Sequence, residues 1–227
     1  MNFTLISPIH PNYHVYRKIC YVNQWFGENR VDFYQKLNLL GHNGIDLRTS
    51  HPFQYFYHNV LRFRREPVFS PRGVIPIVAA HDGYLTAGKN NDRTRGIYMT
   101  IEKETQIYGR PCRVKTVYFH LDRVRRWRGD GIDPDDYVKE GTIIGYSDNT
   151  GEYTTGAHLH FGMKVYWRQP TGDYIAHEWN GYDGYIDPLP YLQDGVIYQQ
   201  GTFRRTFIYN GRVITLAEVK KLLAYAK

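Results

Sequence analysis

The sequence predicts a mainly β protein, an antiparallel β-sheet body with long loops and a small C-terminal hairpin-plus-helix appendage. Three observations carry this. Short alternating or apolar segments recur between glycines from Pro76 onward, helical periodicity is almost absent before residue 200, and Asn210-Gly211 followed by Thr215 and Glu218 marks a turn and then a helix start. The chain's 227 residues, 42% hydrophobic and 22% charged, suffice for one well-cored domain and a small addition.

The elements follow in order. Residues 1–19 hold Pro8 and Pro11 and no sustained period, so they read as an arm laid over a body spanning 20–195. A strand pattern begins at Tyr21 and breaks at Gly27, and a tyrosine- and leucine-bearing stretch leads to GHNGIDL at 41–47. Residues 51–75 are rich in aromatics and arginines without either period and read as an insertion loop. IVAA, YLTA, GIYMTIE, RVKTVYFHL, TIIGY and HLHFGMKVYW then read as successive short strands. Residues 196–227 form the appendage: FRRTFIYNGRVI is a hairpin turned at Asn210-Gly211, and Thr215 and Glu218 have capping-box spacing ahead of VKKLLAYAK.

Composition narrows the function classes. No run approaches the roughly 18 apolar residues of a membrane span, and the N-terminus lacks the basic and apolar regions of a signal peptide. Cys20 and Cys112 have no metal or redox spacing and read as buried small residues. Twenty-nine Lys and Arg against 22 Asp and Glu give +7, which suits an anionic partner such as nucleic acid, anionic lipid or an acidic bacterial wall. The arginine runs at 62–65 and 123–128 read as solvated loops or wall-polyanion contacts ahead of nucleic-acid contacts.

The chemistry concentrates in three places. In 158–163, period two puts His158, His160 and Gly162 on one face and Leu159, Phe161 and Met163 on the other. The same rule in the earlier strand groups Val114, Thr116, Tyr118 and His120 against Val117, Phe119 and Leu121, so a third histidine projects from a neighbouring strand. His42 and Asp46 stand four apart around Gly44, which permits a turn bringing imidazole and carboxylate together. Two histidines and a carboxylate are a usual zinc set when a fourth position stays open. His42, Asp46 and one member of the HxH pair satisfy it, and spacing leaves open which member. His120 and the remaining histidine then stand ready to move protons between an activated water and a leaving amine. His10, His14, His51, His58, His81 and His177 read as surface or structural histidines, with His81 also placed to line a groove.

With these motifs in this order, the sequence resembles the lysostaphin- and LytM-type zinc endopeptidases that cut peptidoglycan peptides. The blocks VNQWFG, GHNGIDL, PIVAAHDGYL, GIYMTIE, TVYFHL, YVKEGTIIGYSDNTGEYTTGAHLHF and IDPLPYL carry the resemblance from about Val22 to Leu192. It implies one zinc ion held by His42, Asp46 and His160, with His120 and His158 catalytic in proton transfer and in steadying the scissile carbonyl. It also implies a mostly antiparallel β-sheet with a groove between loops, and hydrolysis of a crosslink or stem peptide in bacterial peptidoglycan by metal-activated water. The segment between Asp46 and Pro76 is longer than the family pattern, and Gly162 stands where an acidic residue is usual. Tyr34 is the nearest match to a tyrosine that assists some relatives and stays outside the catalytic set. The alternative from another class is a catalytically silent wall-binding or structural module of a phage particle or cell envelope. Action at the bacterial cell wall without a recognisable signal peptide points to a virion-associated protein, with phage structural proteins as partners, or to release by lysis.

Overall fold

The computed structural model describes residues 3–14, 19–29, 33–49, 74–92, 94–124, 137–152, 154, 156–200 and 206–224, with the side chains of 86–92 and 200 set aside. The 51–73 part of the expected insertion, with His51, His58 and the 62–65 arginine run, and the stretch 125–136 lie outside the described residues. In chain order the elements are β1 (Ile19–Gln24), α1 (Phe33–Lys36), β2 (Ile45–Arg48), β3 (Pro76–Val78), β4 (Gly83–Asp92), β5 (Gly96–Ile107), β6 (Arg110–Val124) and β7 (Tyr137–Val138). After these come β8 (Ile143–Ser147), β9 (His158–Arg168), β10 (Tyr174–Ala176), β11 (Tyr185–Ile186), β12 (Ile197–Gln200), β13 (Phe207–Tyr209), β14 (Arg212–Ile214) and α2 (Leu216–Ala224).

The strands form one network in the order β14-β13-β12-β1-β2-β9-β6-β5-β4-β7, with β10 and β11 also on β9, and β8 joining β3 to β6. The mainly β class holds, and antiparallel pairing dominates. The sheet is nevertheless mixed, because β1 and β12 run parallel with Ile19 opposite Ile197. That ladder builds the tail into the same sheet as the body. At the hairpin, Asn210 and Gly211 take φ of 45° and 72°, the two positive values a tight primed turn needs. The cap ahead of α2 is reciprocal: Thr215 N–H donates to the Glu218 carboxylate at 2.7 Å and Glu218 N–H to Thr215 Oγ1 at 3.3 Å.

Alternation sorts the central strands into two faces. Ile45 and Leu47 of β2, Tyr118 of β6 and Leu159, Phe161 and Met163 of β9 are buried in the main core. Leu5 and Ile9 of the arm join that core, bridging to Leu192 and Ile77. The described arm residues therefore lie against the core side. The opposite face carries Asp46, paired across to His160, and Phe119, paired to His160 from the other flank.

This register overturns one expectation. Phe119, not Tyr118, shares the His160 face, and strict alternation would then send His120 into the core. Instead Ile97 pairs with Leu121 and Met99 with Tyr118, so Tyr98 alone opposes both Phe119 and His120. This two-against-one bulge turns His120 to φ 64° and delivers its ring to the histidine face. His120 N–H donates to Arg95 O and His120 O accepts from Asp148 N–H, both at 2.9 Å, which holds the bulge.

Candidate metal centre

Asp46 enters the site from β2 because Ile45 and Leu47 on either side are anchored in the core. His42 precedes the strand in a loop whose backbone is tied by Gly27 N–H to His42 O at 2.7 Å and His42 N–H to Glu28 O at 3.0 Å. His160 sits opposite Asp46 on β9. Together they place His42 Nε2 2.9 Å from His160 Nδ1, with Asp46 Oδ1 3.1 Å from each. Among the described residues these three form a group able to hold a metal ion.

The protons available do not satisfy this triangle. His42 Nδ1 lies 3.1 Å from the Trp25 carbonyl, an acceptor, so its proton sits there and Nε2 presents a lone pair. If His160 carries its proton on Nδ1, one proton serves two acceptors while buried Nε2 has no partner among the described residues. If the proton is on Nε2, three lone pairs meet within 3.1 Å, an arrangement a cation relieves. A tetrahedral zinc bonded at about 2.0–2.1 Å spaces its ligands about 3.3 Å apart, close to the observed edges. The donor set and its spacing fit such an ion.

The surroundings hold the rings in place. Phe119 stacks on His160 with centroids 5.0 Å apart and planes 10° apart. Gly44 packs so closely that a Cβ there would lie 2.7 Å from His160 Nε2 and from Phe161 O. Glycine is needed there for this close approach, while the turn it sits in brings His42 and Asp46 together as expected. Burial raises the Asp46 carboxyl, but the imidazoles of His42, His160 and His158 around it favour its charge, outweigh burial and leave Asp46 well below the usual carboxylate range. Burial foremost, with the His42 and His158 charges adding, pushes His160 down against the Asp46 interaction.

His120 and His158 stand beside the triangle with their ring centroids 4.8 Å apart. His158 Nδ1–H donates to Gly156 O at 2.7 Å, which leaves Nε2 as an acceptor 3.7 Å from Asp46 Oδ2. His120 Nδ1–H donates to Thr150 O at 2.8 Å, so its Nε2 is likewise the unprotonated nitrogen. Burial, then the charges of His158 and His160, push His120 down to about 3, which keeps it neutral at ordinary pH. Gly96, at φ 64°, lets the Thr150 backbone approach within 2.4 Å of where a Cβ would stand, keeping that carbonyl on His120.

Structure and sequence differ at several other positions. His81 does not line the groove: it is buried on the core side, 2.8 Å from Asp82 O and 3.0 Å from Thr116 Oγ1. Beside Gly162, Val117 and the Tyr185 ring fill the room that the absent side chain leaves, 2.9 and 3.0 Å from an added Cβ. Cys20 and Cys112 are buried and unbridged, as read. The carbonyls of Trp25, Thr150 and Gly156, which fix three imidazole tautomers, were missed because backbone groups leave no side-chain signature. Tyr34 is buried with its ring 5.9 Å from His42.

Comparison with known proteins follows the same division of the site. The model of peptidase family M23 matches residues 68–174, a span holding His120, His158 and His160 but beginning after His42 and Asp46. No curated protein matches the chain. Among solved structures, lysostaphin, the antimicrobial peptidase from Staphylococcus simulans, is 20% identical at TM-score 0.46, covering 82% of this chain and 52% of its own. LytU is 28% identical at TM-score 0.42, covering 74% and 81%. A zinc-containing peptidase from Vibrio cholerae is 20% identical at TM-score 0.45, covering 72% and 37%. The chain thus spans about half the length of the lysostaphin chain it matches. Residues 68–174 thus match peptidase family M23, and the motifs around them resemble the lysostaphin- and LytM-type members of that family.

Proposed function

We propose that the protein is a zinc-dependent endopeptidase that hydrolyses a crosslink or stem peptide of bacterial peptidoglycan, acting at the cell wall. The convergence of His42 Nε2, Asp46 Oδ1 and His160 Nδ1 within 3.1 Å is the observation that carries the reading. His42, Asp46 and His160 would hold the ion. A zinc ion there supplies Lewis acidity, polarising the scissile carbonyl and acidifying a water.

The chain's own residues do the rest. His158 Nε2, its lone pair exposed by the Gly156 contact, accepts a proton from the attacking water and returns one to the departing amine nitrogen. His120, neutral with its Nδ1–H donated to Thr150 O, presents an Nε2 lone pair that shares the proton work, and it steadies the tetrahedral carbon's oxygen once Nε2 has taken up a proton. Asp46 stays ionised across the working range because its surroundings favour the charge. Residues 20–195 make the catalytic body, flanked by the arm 1–19 and the tail 196–227. Association with a phage particle or release by lysis would bring the protein to the wall.

Mass spectrometry of fragments released from purified sacculi of several crosslink types, with a His158→Ala control, tests the reading. Soluble peptides released only by the unmutated protein are expected, and their masses name the bond. Intact sacculi in the presence of bound zinc would sink it.

A further inference from the structure

The histidine face of the sheet runs on into positive charge. Going along β9 from His160, Gly162 pairs with Val117 and Lys164 with Lys115, while Val117 and Lys115 pair onward with Thr100 and Glu102 of β5. Four residues of strand separate His160 from Lys164, about 13 Å at about 3.3 Å per residue. There a cavity of about 280 Å³ opens, lined by Arg95, Lys115 and Lys164 together with Tyr98, Tyr166 and Tyr185. Asp183 is the acid among its lining residues. Phe119 lines the cavity and also stacks on His160, so the cavity lies next to the histidines on the same face of the sheet.

Lys164 distinguishes this cleft from an ordinary basic surface. Its side chain is only 10% exposed, yet its ammonium meets acids at long range: Asp183 Oδ1 at 3.5 Å and Glu178 Oε1 at 3.9 Å, both more than half exposed. The rings of Tyr166 and Tyr185 lie 5.7 and 5.6 Å away. An ammonium taken this far out of water needs close anionic partners, and one 3.5 Å contact uses little of its three-donor capacity. Lys115 is committed to Glu102 at 2.7 Å, and Arg95 lies over Tyr98 and Phe119 at 5.5 and 5.6 Å. The cleft therefore combines a cation at its base, aromatic walls and a second cation at its edge.

We propose that this cleft is a carboxylate-binding subsite, with Lys164 pairing a carboxylate of the peptide substrate two to four residues from the scissile bond. The inference rests on the peptidase reading and sharpens it: the preferred substrate is a stem peptide with free carboxylates, not a neutral glycine chain. The tyrosines hold the peptide beside the ion pair, and the Tyr185 ring enters the groove floor because Gly162 leaves it room.

The test is calorimetric titration of the zinc-loaded full chain carrying His158→Ala, which keeps the peptide uncut. Two probes are used: a four-residue acidic stem peptide with free carboxylates, and the same peptide fully amidated. The free acid should bind about tenfold tighter, as a charge-assisted contact supplies. The ratio should fall to within twofold in Lys164→Met and survive in Lys164→Arg, with thermal melting reporting that both variants fold. Equal affinities, an unchanged ratio in Lys164→Met, or no binding of either probe overturns the subsite. Sacculus cleavage by the His158-bearing protein separates the two claims: cutting with a flat ratio ends the subsite alone, and a lysine-dependent ratio without cutting ends the peptidase reading alone.

Discussion

His81 and His160 are both buried, 1% and 5% exposed, on opposite faces of one sheet. At His81 both nitrogens are met, one by Asp82 O and one by Thr116 Oγ1, and Phe3 packs its ring edge-on at 5.3 Å. At His160, Nδ1 faces two further acceptors while Nε2 faces no partner among the described residues. The difference teaches that burial alone marks a structural histidine, whereas acceptors gathered without enough protons mark a place for a cation.

The largest effect expected from breaking this contrast is on catalysis. Asp46→Asn removes a charge from the triangle and should cut peptide hydrolysis at least about 10³-fold, with little zinc retained. His158→Ala and His120→Ala should each lower kcat by about 10²- to 10⁴-fold while zinc content stays at the unmutated level. Equal zinc loss in all three variants would dissolve the division between holding the ion and moving protons. Gly44→Ala should weaken zinc binding by about 10- to 100-fold, since its methyl would meet His160 Nε2 at 2.7 Å and turn the ring. Competition against a calibrated chelator reads that change.

On the core side the smaller effect is on stability. Burial first, then the Lys103 charge, hold His81 down from 6.5 to about 4 despite its contacts with Asp82. The unfolded chain therefore takes up a proton that the native chain refuses, and stability falls as pH drops from about 6.5 toward about 4. Between pH 7 and 5 this histidine alone accounts for about 2 kcal/mol. Urea unfolding at the two pH values should show His81→Gln losing that part of the pH dependence with zinc binding intact.

How legible the site was follows from what each residue depends on. The facing of His158 and His160 was readable because β9 keeps strict alternation and Leu159, Phe161 and Met163 bury the other side. His120 was assigned the right surface for the wrong reason, since a bulge and not alternation turns it there. Expecting His160 rather than His158 to hold the metal needed the family resemblance, because both point to one face. The parallel β1·β12 ladder was invisible, as it joins residues 178 apart by Ile19 and Ile197, and local pattern does not encode such pairings. The cationic cleft was equally hidden: Arg95, Lys115 and Lys164 come from three separate parts of the chain, and only strand register brings them to one cavity.

Zinc stoichiometry by native mass spectrometry tests the central claim most directly. One ion per chain is predicted for the unmutated protein, for His81→Gln and for His158→Ala, and none for Asp46→Asn or His160→Ala. Full zinc in Asp46→Asn, or none in the unmutated protein after loading, would contradict a metal centre built on His42, Asp46 and His160.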